Sequence, residues 1–288
     1  MRERFDAIVI GTGASGNAAA YTLAKAGLKV IQIERRACTA SVEAQCDVMC
    51  ADELEKMVPD FRDDAPLERR LTERCIWVLD HDFIVGTHHP RPLDRPGPGN
   101  RYAIHRFQFD AWFSRKAREA GAAFMGEATV DELLTQGHRC VGVRCAGAAE
   151  LHADVVILAD GLRPPWAPLT DTRTETDGND VKLAVKETLF MPSETIEQRF
   201  NVLHGEGVFV EMMGKVIEGM AGTGFLYTHQ ESVTVGFTCV SARRSHLDAS
   251  LEAGQSVQFT GFQRCGNSSS TWLARCVGKR SSTSLRYA

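Results

Sequence analysis

Residues 5–16 read FDAIVIGTGASG, and residues 17–34 continue NAAAYTLAKAGLKVIQIE. The apolar, β-branched run Phe5–Ile10 has the pattern of a buried strand. Gly11, Gly13 and Gly16 follow in G-x-G-x-x-G order. Alanines at 14, 18, 19, 20 and 24, with Leu23, continue as a helix over 14–26. Gly27 breaks that helix, and Leu28–Ile33 is a second strand closed by Glu34. Each part has a physical role. Gly11 permits the tight turn, Gly13 lets the backbone approach a pyrophosphate, and Gly16 lets helix and strand pack closely. The helix start, at Ala14 and Ser15, offers unpaired N–H groups and the positive end of a dipole to phosphates. Glu34 can accept hydrogen bonds from ribose hydroxyls, and its charge repels an extra 2′-phosphate. Strand, glycines, small-residue helix, second strand and acid stand in register for a dinucleotide site. That register alone does not separate FAD from NAD.

At 288 residues the chain is one large domain or two modest ones. With 43% hydrophobic and 24% charged residues it is expected to be soluble and globular. A formal net charge of -4 supplies no basic footprint, so no nucleic-acid partner is expected. The nine cysteines are odd in number and include no CxxC, which excludes a secreted disulfide framework. Cys46 and Cys50 are spaced i,i+4, but two ligands make neither a zinc nor an iron–sulfur site. His88-His89 has no carboxylate or cysteine at ligand spacing, so no metal site is expected. HExxH, GxSxG and GxxxxGK[ST] are all absent, which removes the usual warrant for a hydrolase or nucleoside triphosphatase. No signal peptide or apolar run of spanning length is present. A cytoplasmic location is expected, with peripheral contact at the inner membrane left open.

Downstream, Ala123–Leu134, Arg139–Arg144 and Leu151–Asp160 form a three-stranded meander with a turn at Gly137. It ends in Asp160-Gly161, where glycine either lets backbone pass near a nucleotide or makes a plain strand-end turn. Between these parts, residues 45–58 are expected to be helical until Pro59. Residues 60–70 read as a charged, solvated segment, Cys75–Leu79 as a strand and 88–100 as a loop. Tyr102–Ile104 is a short strand and 107–120 a helix with Phe109, Phe113 and Ala117 inward. Asp110 is a capping or surface carboxylate. Arg106, at the junction, either reaches cofactor phosphates and the ribityl chain or forms an ordinary ion pair. From about residue 175 the pattern alternates: strands over 180–190, 207–213 and 232–240, a glycine-punctuated segment over 219–225, and a short helix at 193–200. This is a mainly antiparallel sheet. Phe225 and Tyr227 either approach an isoalloxazine or quinone or serve as sheet core.

From Phe5 to about Val240 the chain resembles the FixC flavoproteins. These are similar to electron-transfer-flavoprotein:quinone oxidoreductases and, more distantly, to geranylgeranyl reductases. The residues that carry the resemblance are FDAIVIGTGASGNAAA, Glu34-Arg35, ADELEK at 51–56 and PDFRDDAPLER at 59–69. Further matches are Phe109-Asp110, Trp112-Phe113, HADVV at 152–156, ADG at 159–161 and GFLYT at 224–228. The resemblance implies an α/β fold: a Rossmann-like FAD-binding domain of glutathione-reductase/hydroxybenzoate-hydroxylase type over 1–170, and a partial substrate- or quinone-side sheet domain over 171–240. It implies FAD, held by Gly11, Gly13, Ala14, Ser15, Gly16, Glu34, Arg35, Arg106, Asp160 and Gly161. It also implies electrons from a FixA/FixB-like electron-transfer flavoprotein, passed toward quinone or toward reductant supply in nitrogen fixation. A ferredoxin-like FixX would hold the iron–sulfur cluster. No catalytic side chain is assigned, because the flavin carries the chemistry. A geranylgeranyl-reductase-like flavoenzyme and an inactive nucleotide-binding fragment are the alternatives.

Two departures stand out. Val42 and Glu43 occupy the places of a family Lys-Asn, and Cys46 replaces a glycine. The family's late Gly-Asp-Ala motif is missing, and residues 241–288, with 10 serines and seven Lys plus Arg, match nothing in it. A truncated or frameshifted chain with a divergent, disordered tail is expected, and with it weak FAD binding.

Overall fold

The computed structural model describes residues 4–37, 47–80, 82–90, 100–147, 150–161, 182–216 and 222–240. Expectations for residues 38–46, 91–99, 162–181, 217–221 and 241–288, including the departures at Val42, Glu43 and Cys46, lie outside them. In chain order the first elements are β1 (Arg4–Ile10), α1 (Ala14–Lys25), β2 (Val30–Ile33), β3 (Val48–Cys50) and α2 (Asp52–Met57). After a 3-10 turn at Phe61–Asp63 come β4 (Leu67–Leu79), β5 (Ile84–Pro90), β6 (Arg101–Ile104) and α3 (Arg106–Glu119). Next are β7 (Ala123–Met125), β8 (Val130–Gln136), β9 (Arg139–Cys145) and β10 (Glu150–Leu158). The last are β11 (Lys182–Phe190), α4 (Ser193–Phe200), β12 (Glu206–Gly214), β13 (Gly222–Thr228) and β14 (Ser232–Val240).

These elements make two compact units. The first takes residues 1–44, 57–66 and 105–175, and the second takes the remainder. The first unit holds a six-stranded sheet in the order β7-β2-β1-β10-β9-β8. β7, β2, β1 and β10 run parallel, and β9 and β8 complete an antiparallel meander. Continuous apolar strands such as β1 and β2 suit a parallel sheet buried on both faces. Phe5, Ile8, Ile10, Ile31, Ile33, Val143 and Leu151 form its core. Helices α1 and α3 lie against each other, with the Tyr21 and Phe113 rings 6.3 Å apart. The expected single strand over 123–134 is two strands. Glu127, at φ 53°, sits between them, and its N–H donates to the Arg36 carbonyl.

The second unit's sheet runs β11-β14-β13-β12-β4-β6-β3, with β5 paired to β4. It is mixed: β12 pairs antiparallel with β13 but parallel with β4. Val208, Val210, Met212, Leu226, Val233 and Ile196 of α4 form its main core.

Three local expectations fail here. The helix expected over 45–58 is the strand β3 followed by the six-residue α2. Val48–Cys50 pairs with β6, and the Ile104 N–H donates to the Asp47 carbonyl at 2.7 Å. Sheet pairing overrides a weak helical pattern. The charged stretch 60–70 is not a solvated segment throughout: Phe61 is fully buried and Arg69 is 1% exposed. The loop expected from residue 88 is a strand up to Pro90. That proline ends β5, a strand hydrogen-bonded among the described residues to β4 alone, where a missing N–H is tolerated.

Candidate functional site

In the first unit β1 and β10 are parallel neighbours, so their carboxyl ends carry both glycine segments to one place. The Ala159 N–H donates to the Ile10 carbonyl at 2.9 Å. Gly11 has φ +104°, and a Cβ there would stand 2.3 Å from the Ala159 carbonyl oxygen. A Cβ on Gly16 would stand 2.1 Å from the Gly11 carbonyl oxygen, so helix, turn and strand approach as closely as backbone allows. Gly13 is different: a Cβ there meets nothing within 4 Å. The space over the turn is open where a pyrophosphate would lie. Gly13 is the N-cap of α1 and makes no side-chain cap, and Ala14 and Ser15 are exposed. The first N–H groups of α1 therefore face that space without an intrahelical acceptor.

Glu34 ends β2 beside this turn. Its Oε2 accepts from the Thr12 hydroxyl at 2.6 Å and from the Thr12 N–H at 3.2 Å, while Oε1 accepts from the Arg36 N–H at 3.1 Å. Beneath the turn a buried amide chain fixes its shape. Gln32 donates to the Gly11 carbonyl and to the Asn17 Oδ1, and Asn17 donates to the carbonyls of Thr12 and Asp110. Gly11, Gly13, Ala14, Ser15, Gly16, Glu34, Asp160 and Gly161 thus gather at one end of the sheet, with Arg35 exposed just beyond Glu34. Asn17, Gln32 and Thr12 complete this cradle. Sequence reasoning did not single them out; the signal was two polar residues inside otherwise apolar helix and strand patterns.

Arg106 opens α3 and forks onto Asp110 one turn on, with Nε to Oδ1 at 3.2 Å and Nη2 to Oδ2 at 3.1 Å. Asp110 is fully buried, not a surface or capping carboxylate. A buried carboxylate needs its cation, so the i,i+4 pair holds the start of α3 against Asn17.

In the second unit Tyr227 is 2% exposed, stacks on Phe225 at 5.9 Å and donates its hydroxyl to Asp47 Oδ2 at 2.9 Å. Lys186 pairs with the same oxygen. This places Tyr227 in the sheet core and gives the buried Asp47 two partners that no sequence pattern announced.

Residues 6–66 match the family model described as FAD binding domain. Fold, cradle and match together define the class: a Rossmann-type flavoprotein, with FAD as its cofactor. Within it, the chain is homologous to bacterial FixC proteins. It is 50% identical over 241 residues to Protein FixC of Azotobacter vinelandii, covering 83% of this chain and 56% of that protein. It is 33% identical over 250 residues to the probable electron transfer flavoprotein-quinone oxidoreductase YdiS of Escherichia coli K12, covering 86% and 58%. The chain spans little more than half the length of these relatives. Among solved structures, a geranylgeranyl bacteriochlorophyll reductase-like protein from Thermoplasma acidophilum aligns with a TM-score of 0.67 at 18% identity, covering 91% of this chain and 64% of that one. At that identity the likeness is one of fold.

Proposed function

We propose that this chain carries the nucleotide-binding part of a flavin-dependent electron-transfer oxidoreductase. Electrons would arrive from a FixA/FixB-like electron-transfer flavoprotein and leave toward quinone or toward reductant supply in nitrogen fixation. A ferredoxin-like FixX partner would hold the iron–sulfur cluster. The single observation that supports this most is the meeting of the Gly11–Gly16 turn, Glu34 and Asp160-Gly161 at one sheet end, in a chain half identical to a FixC protein over 241 residues.

In this reading the bound flavin supplies the electron-carrying chemistry, and the chain's residues bind and orient it. The α1 N–H groups at Ala14, Ser15 and Gly16 hold the pyrophosphate, with Gly11 and Gly13 giving close approach. Glu34 takes the adenosine ribose, and Arg35 lies beside it. At Asp160-Gly161 the glycine would let backbone pass near the nucleotide. Arg106 acts from α3 while held by Asp110. A cytoplasmic location, with peripheral contact at the inner membrane, fits a quinone acceptor; no helix among the described residues is long and apolar enough to cross a membrane.

The test is in two stages. FAD titration of the purified chain, followed by flavin fluorescence, measures binding. Anaerobic mixing with reduced electron-transfer flavoprotein then measures electron uptake. Flavin binding followed by reduction supports the reading. Binding without reduction removes the proposed donor, and no binding identifies the chain as an inactive nucleotide-domain fragment.

A further inference from the structure

Strands β4 and β5 bring together three side chains of different chemistry. Their pairing is regular from Glu73–Pro90 to Leu79–Ile84 and sets Cys75 directly opposite His88. Glu73 and Cys75 are two apart on one strand and share a face, while Arg74 between them turns away to pair with Glu211. His88 Nδ1 lies 2.7 Å from Glu73 Oε1 and 3.5 Å from Cys75 Sγ. One ligand atom from each residue falls within 4.8 Å of the other two.

We propose that Glu73, Cys75 and His88 form a binding site for a divalent metal ion of the zinc class, open at a fourth position. A thiolate, an imidazole and a carboxylate are the donor types such an ion accepts. With metal–sulfur and metal–nitrogen bonds of about 2.3 and 2.0–2.1 Å, the edge of a tetrahedron is about 3.6 Å. The Cys75–His88 separation of 3.5 Å is already that edge. The Glu73–His88 separation of 2.7 Å needs to open by only about 0.7 Å, within reach of a carboxylate rotation. Charge also balances, since thiolate and carboxylate together neutralise a divalent ion. Access is one-sided. Cys75 is 2% exposed and belongs to the sheet core, whereas the His88 side chain is 61% exposed, so the ion and a fourth, water ligand meet solvent there.

Without metal, burial first and then the neighbouring Glu73 charge push the Cys75 thiol up to about 12. The ion must displace that proton, and its own charge reverses the effect of both surroundings. This site lies wholly in the second unit.

The experiment uses the full chain, stripped with chelator and titrated with cobalt(II), then with zinc to displace it. One equivalent of cobalt with a thiolate-to-metal charge-transfer band is expected. Cys75→Ser abolishes the band. His88→Ala, an exposed position that leaves the core untouched, weakens binding by about tenfold or more, since even outer-sphere partners are worth about 10–100-fold. Glu73→Gln weakens it likewise. Absence of a thiolate band in the folded wild-type chain overturns the proposal. So does a band that survives unchanged in His88→Ala, because the metal is then held by other cysteines.

Discussion

The Thr12 hydroxyl donates to Glu34 Oε2 at 2.6 Å, so the acid at the end of β2 is tied to the glycine turn itself. The tie holds the carboxylate beside the turn, and Glu34 is only partly exposed. A ribose placed there meets a pre-oriented acceptor. Glu34→Gln removes the charge while keeping the shape. Hydrogen bonds to charged groups contribute about 1.5–3 kcal/mol, so FAD affinity should fall by about tenfold or more. FMN has no adenosine ribose and should bind the variant as it binds the wild type. Parallel titrations with both flavins check this.

Gly16→Ala should disable the same cradle by a different route. The new Cβ would stand 2.1 Å from the Gly11 carbonyl oxygen, and 3.4 Å from the Gln32 amide nitrogen that holds that oxygen. Backbone cannot move aside as a flexible side chain can. A stability loss of about 1–3 kcal/mol, the usual range for overpacking, should accompany loss of FAD binding. Gly13→Ala makes the contrast, because its Cβ meets nothing within 4 Å. That variant should keep its denaturation midpoint and lose affinity only.

How legible each unit was depends on where its partners sit along the chain. The first unit's pieces are local: apolar runs for parallel strands, a glycine turn between β1 and α1, and turns at Gly137 and Gly147, both at positive φ. The second unit is built from pairings between distant segments. β4 reads as charged because Glu68, Arg69, Arg70, Glu73 and Arg74 crowd it, yet it lies between β12 and the β5 and β6 strands. Its buried arginine is satisfied by carbonyls more than 120 residues away. Val48–Cys50 is a strand only because β6 presents an edge to it. His88 is likewise separated from Glu73 and Cys75 by a hairpin, so the three did not show as a ligand set in linear order.

Arg69 sets the next prediction. Its Nε donates to the His229 carbonyl at 2.7 Å and Nη1 to the Glu206 carbonyl at 2.9 Å. Nη2 reaches Ser193, the Gln230 carbonyl and, at 3.2 Å, the Glu197 carboxylate. A buried cation so placed ties β4 to the start of α4 and to the β13–β14 turn. Arg69→Met fills similar volume but takes the guanidinium away from all of these acceptors. The loss should be about 1–3 kcal/mol for each buried carbonyl left unsatisfied. Urea denaturation measures it. A loss under about 1 kcal/mol would mean that water replaces the guanidinium.

Cys145 supplies a test in pH. It ends β9 in the core of the first sheet at 3% exposure, and burial, then the Asp131 charge, raise its thiol above the ordinary range. The folded form therefore holds its proton more tightly than the unfolded chain does. That stabilisation is present in full below the unfolded thiol value of about 8.5 and is lost as pH rises through the higher folded value. Iodoacetamide at about pH 8.5 should label the exposed Cys50 well before Cys145. The two rates should converge in denaturant, as peptide mapping would show. Equal labelling in the folded protein would place Cys145 in contact with solvent and contradict the packing of β9 against β8 and β10.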